Sequence, residues 1–160
     1  MLARQATTYD IDGFAAVVAS VAEEGRWIAT EPPLDVENFK ARVRKSLADG
    51  VPLFVLDDGG TIVGTAGLHP THAKGVVSLG MSILASHRGR GGGRMLMTAL
   101  IDHARGMGCH KIELETWPDN ERAIALYEKF GFEVEGLRRD HYRRRDGTLR
   151  SAQLMALLLD

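Results

Sequence analysis

At 160 residues the chain is long enough to close one domain around a buried core without disulfide or metal staples. An apolar fraction of 44% and a charged fraction of 26% fit an ordinary soluble globular protein, and a net charge of −1 gives no global reason to bind nucleic acid or a membrane. The single cysteine, Cys109, excludes an intramolecular disulfide and favours a reducing compartment.

Met1 to Asp10 has no signal-peptide h-region and no run approaches transmembrane length, so a cytoplasmic protein is expected. Leu2 to Thr8 reads as an edge strand. From Asp12 to Glu24, Phe14, Val17, Val18 and Val21 recur at helical spacing, and Gly25 ends the run. A loop with Trp27, Ile28, Pro32 and Pro33 leads to a second helix, capped by Asp35 and carrying Phe39, Val43 and Leu47 on one face. Pro52 to Leu56 and Thr61 to Leu68 form a hairpin about Asp57-Asp58-Gly59-Gly60. His69 to His72 interrupts, and Val76 to Leu84 resumes as a strand in which Gly80 predicts a bulge or a close backbone approach.

After a glycine-dense turn, Leu96, Met97, Leu100, Ile101 and Ala104 stripe a helix that ends around Gly106 and Gly108. His110 to Thr116 is a strand broken by Trp117-Pro118. Asp119 or Asn120 caps the next helix, which carries Ala123, Ile124, Leu126, Tyr127 and Phe130 and stops at Gly131. Phe132 to Arg143 and Leu149 to Leu158 form a last antiparallel pair about Asp146-Gly147. The chain is therefore one mixed α/β domain over residues 1–160, with a parallel strand pairing forced by the strand–helix–strand unit from Val76 to Thr116.

The turn Arg88-Gly89-Arg90-Gly91-Gly92-Gly93-Arg94 is the most informative stretch. Glycines opening a helix let backbone N–H groups approach a ligand, and the helix dipole favours negative charge, which makes a pyrophosphate cradle. A dinucleotide fingerprint from Gly89 fails because Arg94 stands where its last glycine belongs, and no Gly-Lys-Ser/Thr follows as in a P-loop. On the strand from His110, Ile112 and Leu114 alternate with Glu113 and Glu115. A central strand covered by helices is apolar on both faces, so this acidic face predicts a cavity, where a desolvated glutamate suits proton abstraction.

The spacing Arg88-x-x-Gly91-x-Gly93 resembles the cofactor motif of the GNAT superfamily of acyl-CoA-dependent N-acetyltransferases. A second block, Asn120-x-x-Ala123-x-x-Leu126-Tyr127-x-x-x-Gly131-Phe132, is similar to that family's Asn-x-x-Ala-x-x-Leu-Tyr-x-x-x-Gly-Phe, and it stands in the expected order. The resemblance covers about Val76 to Leu158. Within the family, Leu114-Glu115-Thr116, Asp140-His141-Tyr142 and Asp146-Gly147 make the tail most like the ribosomal-protein alanine N-acetyltransferases, although Ser151-Ala152 replaces an acidic residue usual there. The loop departs from the family in having Gly92 where an apolar residue usually stands, at a cost of about 1 kcal/mol in helix-start order.

The resemblance implies the GNAT fold, a mostly antiparallel central sheet with one splayed parallel pair, flanked by helices. It implies acetyl-CoA as co-substrate, with the main chain of Gly89, Arg90, Gly91, Gly92, Gly93 and Arg94 around the pyrophosphate and charge added by Arg88 and Arg90. The backbone at Ile83 would face the thioester, and Asn120 would both cap its helix and touch the pantetheine arm. Tyr127 is the implied general acid toward the coenzyme A sulfur; a thiol near about 8.5 and a phenol near about 10 make that transfer thermodynamically modest. Glu115 is the candidate base, with Glu113 or water as the alternatives.

No metal is expected: His69 and His72 lack the partners of a metal site and read as loop surface. Cys109 reads as packing. The basic run Arg138, Arg139, Arg143, Arg144, Arg145 and Arg150 reads as a solvated hairpin or dimer rim, since no stacking aromatics accompany it as nucleic-acid binding needs. Trp27 and Glu31 sit in the loop that shapes the acceptor site in this family. The expected activity is acetyl transfer to a primary amine of a small molecule or a protein N-terminus, with an acyl-CoA-binding regulatory module or a longer-chain acyltransferase as alternatives. Members of the family often pair, which implies a homodimer.

Overall fold

The computed structural model describes residues 1–160. The chain runs β1 (Leu2–Gln5), α1 (Ile11–Glu23), α2 (Val36–Ala48), β2 (Leu53–Asp58), β3 (Thr61–Pro70), β4 (Val76–Ile83), α3 (Gly92–Gly106), β5 (Lys111–Thr116), α4 (Glu121–Lys129), β6 (Glu133–Arg143) and β7 (Leu149–Leu158). The strands form one seven-stranded sheet in the order β1-β2-β3-β4-β5-β7-β6. Only β4 and β5 run parallel.

Alternation along β2 sorts the two layers. Phe54 and Leu56 join the larger core with the α3 stripe Leu96, Met97, Leu100, Ile101 and Ala104. Leu53 and Val55 point to the opposite face and pack with Ile11, Phe14 and Val18 of α1 and Val43 of α2. Helices α1 and α2 are thus on one side of the sheet, α3 and α4 on the other. Local caps define the ends: Asp35 accepts from Asn38 N at 3.1 Å, and Asn120 from Ala123 N at 3.3 Å.

The parallel pairing is short. β4 meets β5 at Val76↔Lys111, Val77↔Ile112 and Ser78↔Glu113, and then the ladder stops. β4 stays paired with β3 as far as Ile83, while β5 stays paired with β7 through Thr116. The two half-sheets diverge beyond Ser78 and leave a gap with backbone edges facing it.

Three details differ from the sequence reading. β3 continues through His69 and Pro70, which pair with Ser78 and Val77. Gly80 forms no bulge: it sits in regular register opposite Gly67, and a side chain there would meet nothing within 4 Å. Register shifts lie instead in β2 at Leu56/Asp57 and in β6 at Val134/Gly136 and Arg138/Tyr142. In the last, Arg138 pairs with Ala152 and Tyr142 with Arg150, so extra residues are looped out around Asp140 at φ 48°. Cys109 is packed at the margin of the larger core. No helix is long and apolar enough to cross a membrane.

Candidate active site

The gap between β4 and β5 opens into a cleft of about 880 Å³, the size of a cofactor-scale site. The glycine turn closes one end. Gly89 and Gly91 have φ of 74° and 86°, a conformation that excludes most side chains. Gly91 is the N-cap of α3 and no side chain caps the helix, so its first N–H groups are left for a ligand. Gly89, Gly91, Gly93 and Arg94 line the cleft; Arg90 and Gly92 do not.

Gly92 has its own reason to be glycine. A Cβ there would lie 2.4 Å from Leu56 Cδ2, so its absence lets α3 seat on β2. The departure from the family pattern therefore meets a packing requirement.

Arg88 is committed to the fold. Its Nε donates to Ile83 O at 2.9 Å, and its two terminal nitrogens donate to the Glu24 carboxylate at 2.8 and 2.7 Å. Glu24 is held below the usual carboxylate range chiefly by that guanidinium. The side chain staples the end of α1 to the end of β4, so its charge is already paired where it lines the cleft. Free cations are supplied elsewhere: Arg94, Arg122 and Lys129 line the cleft and none takes part in an ion pair. Arg122 and Lys129 stand two turns apart on one face of α4, a spacing visible in the sequence.

Tyr127 lies on the same helix and lines the cleft beside Leu126 and Ala123. It is 8% exposed, and burial alone pushes its phenol up to about 12. Its ring packs against Phe132, with centroids 5.8 Å apart. Ile83 and Asn120 are also in the lining.

Glu115 stands on the opposite wall. Arg138 donates to its Oε1 at 2.7 Å and the Tyr142 hydroxyl to its Oε2 at 2.5 Å. Tyr142 in turn is pushed up to about 12 by burial and by this hydrogen bond. Glu113 lines a separate cavity of about 400 Å³ that Glu115 and Arg138 share, and only Glu115 reaches the main cleft. Sequence reading missed Tyr142 and Trp117 as cleft residues, since a strand bulge and a post-strand aromatic carry no periodic signal.

Part of the basic hairpin is solvated, as expected, with Arg139 and Arg143 exposed, but three of its arginines reach across to the α1–α2 loop. Arg144 donates to Ala29 O at 2.9 Å, Arg150 to Arg26 O at 3.2 Å, and Arg145 to Pro32 O. The Arg150 and Arg144 guanidinium groups lie 4.1 and 5.4 Å from the Trp117 ring centroid. These contacts clamp the α1–α2 loop, with Trp27, Ile28 and Ala29, over the far end of the cleft.

A splayed parallel pair, an open helix N-terminus and an Asn-x-x-Ala-x-x-Leu-Tyr helix thus converge on one cleft. The model of the Acetyltransferase (GNAT) family matches residues 17–132. The chain belongs to the GNAT acetyltransferases. Among curated relatives, it is 42% identical over 90 residues to N-alpha-acetyltransferase RimI of Mycobacterium tuberculosis, a match spanning 53% of this chain and 54% of that relative. It is 29% identical over 138 residues to the L-methionine sulfoximine/L-methionine sulfone acetyltransferase of Pseudomonas aeruginosa, covering 83% of this chain and 80% of that one. Among solved structures, a ribosomal-protein-alanine N-acetyltransferase from Brucella melitensis superposes with a TM-score of 0.91 at 27% identity, over 99% of this chain and 100% of that one. The acetyl-CoA-bound structure of yncA from Salmonella typhimurium shares the fold, with a TM-score of 0.88 at 23% identity over 99% and 93% of the two chains.

Proposed function

We propose that this GNAT acetyltransferase works as one domain over residues 1–160 and moves the acetyl group of acetyl-CoA to a primary amine by direct attack in a ternary complex. The observation that carries the reading is the meeting of three features in one cleft: the uncapped α3 N-terminus, the Tyr127 phenol and the Glu115 carboxylate. The N–H groups at Gly91 to Arg94 receive the pyrophosphate, with Arg94, Arg122 and Lys129 adding charge. The unpaired edge of β4 near Ile83 polarises the thioester carbonyl. Glu115 takes the ammonium proton, the amine nitrogen bonds to the carbonyl carbon, the carbon–sulfur bond breaks, and Tyr127 protonates the departing thiolate.

Burial, which pushes the Tyr127 phenol up to about 12, keeps it protonated across the working range but makes it a weaker acid than a thiol near about 8.5. The transfer expected to be modest therefore runs uphill by about 3–4 pKa units, and the phenol acts first as a hydrogen-bond donor to the departing thiolate. The family resemblance supports a cytoplasmic homodimer. β6 is an outer strand and exposes Val134 and Leu137 at 56% and 52%, an edge that a second copy would cover.

Calorimetry with acetyl-CoA, followed by thiol release across a panel of amines, tests the reading. Binding with turnover on at least one amine is expected. Binding with no turnover on any amine makes the protein an acyl-CoA-binding module, and a longer acyl-CoA outcompeting acetyl-CoA changes the donor. Absence of binding overturns the assignment.

A further inference from the structure

The two ends of the cleft differ in charge, and the difference bears on the acceptor. At the glycine-loop end, Arg94, Arg122 and Lys129 are free to meet an anionic donor. At the other end the walls are Val21, Trp27, Ile28, Ala29, Tyr142 and Ala152, and the charged residues that join them, Arg88 and Glu115, are both ion-paired. Six guanidinium groups stand around that end, and four have a carboxylate: Arg88 with Glu24 at 2.7 Å, Arg138 with Glu115 at 2.7 Å, Arg144 with Glu31 at 3.9 Å and Arg150 with Asp119 at 3.1 Å. The other two, Arg26 and Arg145, have none, but neither lines the cleft. Arg88, Arg144 and Arg150 also donate to the carbonyls of Ile83, Ala29 and Arg26, which fixes them in place. Arg26 lies over the outer Trp27 ring, 4.3 Å from its centroid, and is not in the lining.

An acceptor ammonium brought to Glu115 places its α-substituent within a few ångströms of that carboxylate. A free amino acid would put a second carboxylate there, repelled by Glu115 and desolvated against an apolar wall whose lining holds no unpaired cation to receive it. Building on the proposed transferase reading, we infer that the acceptor is an amine whose neighbouring carbon bears no carboxylate: an amidated or peptide-linked α-amine, or a simple alkylamine, rather than a free amino acid.

Matched acceptors test this directly: L-methionine, L-methioninamide and 3-(methylthio)propylamine, with kcat/KM read by thiol release from acetyl-CoA. Both uncharged-substituent amines are expected to exceed methionine by at least about tenfold, mainly through KM. The alkylamine is more basic than methionine, so its advantage cannot come from a larger fraction of neutral amine. Methionine equal to or better than both overturns the inference and leaves the transferase reading standing. No thiol release with any amine overturns the transferase reading and the inference together. Glu24→Gln, which removes the counter-charge of Arg88, is expected to narrow the ratio by at least about threefold. A ratio unmoved in that variant assigns the discrimination to something other than arginine pairing, and the inference falls.

Discussion

The Tyr142 hydroxyl donates to Glu115 Oε2 at 2.5 Å while Arg138, four residues earlier on the same strand, holds Oε1 at 2.7 Å. On a regular strand those two residues would stand about 13 Å apart, too far to share a carboxylate. The β6 bulge around Asp140 brings them opposite Ala152 and Arg150, two positions apart on β7. A distortion of one edge strand therefore builds the environment of the candidate base. Tyr142→Phe removes one of the two donors that hold the Glu115 carboxylate in place, and kcat/KM is expected to fall about tenfold. Glu115→Gln is expected to lower it about 10²-fold or more at constant acetyl-CoA affinity. Wild-type turnover in Glu115→Gln takes Glu115 out of the mechanism.

Tyr127→Phe deletes one oxygen from a buried ring that packs on Phe132. Packing survives, so acetyl-CoA affinity by calorimetry is expected to change less than about threefold, while kcat falls about 10²-fold. A variant with wild-type turnover assigns thiolate protonation to another group.

The glycines of the turn separate packing from binding. Gly92→Ala drives a Cβ against Leu56, and a loss of about 1–3 kcal/mol in denaturant unfolding is expected, partly recovered by Leu56→Val. Gly91→Ala meets no neighbour but must hold φ 86°, which costs on the order of 1–2 kcal/mol and disturbs the open helix start. Its expected signature is weakened acetyl-CoA binding out of proportion to lost stability. Equal affinity losses in the two variants would contradict that division.

Arg88 and Arg94 differ in the same way. Arg94→Gln is expected to weaken acetyl-CoA binding in a salt-dependent manner, because its charge is unpaired. Arg88→Gln releases Glu24 and the Ile83 carbonyl, so its main effect is expected on the acceptor KM and on the melting temperature. Calorimetry at low and high salt distinguishes the two.

Stability should depend on pH through Asp10. Arg4 donates to both of its oxygens at 2.9 Å and Thr7 N donates at 2.8 Å, holding a buried carboxyl at about 2 against an ordinary value of 3.8. The charged form is thus favoured by folding, so its contribution is complete above about pH 4 and disappears as pH falls through about 2. Asp10→Asn is expected to lose on the order of 2 kcal/mol in urea unfolding at pH 7, and the gap to the wild type to shrink toward pH 2. A gap independent of pH would assign the loss to packing.

The order of elements, the caps at Asp35 and Asn120, the α3 stripe and the two cofactor-side motifs were legible in the sequence, because capping and periodicity act over a few residues. They carried the family assignment before any contact was known. What the tertiary structure alone decided is which charges are spent. Arg88 finds Glu24 across 64 residues, and Glu115 finds Arg138 and Tyr142 across 23 and 27. Nothing local marks those pairings. They follow from where β4 leaves β5 and from a bulge that shifts the register of β6, and a shift of register decides which face a side chain takes. The same holds for three arginines of the basic hairpin, which look solvated in sequence and become a clamp only when β6 and β7 bring them over the α1–α2 loop.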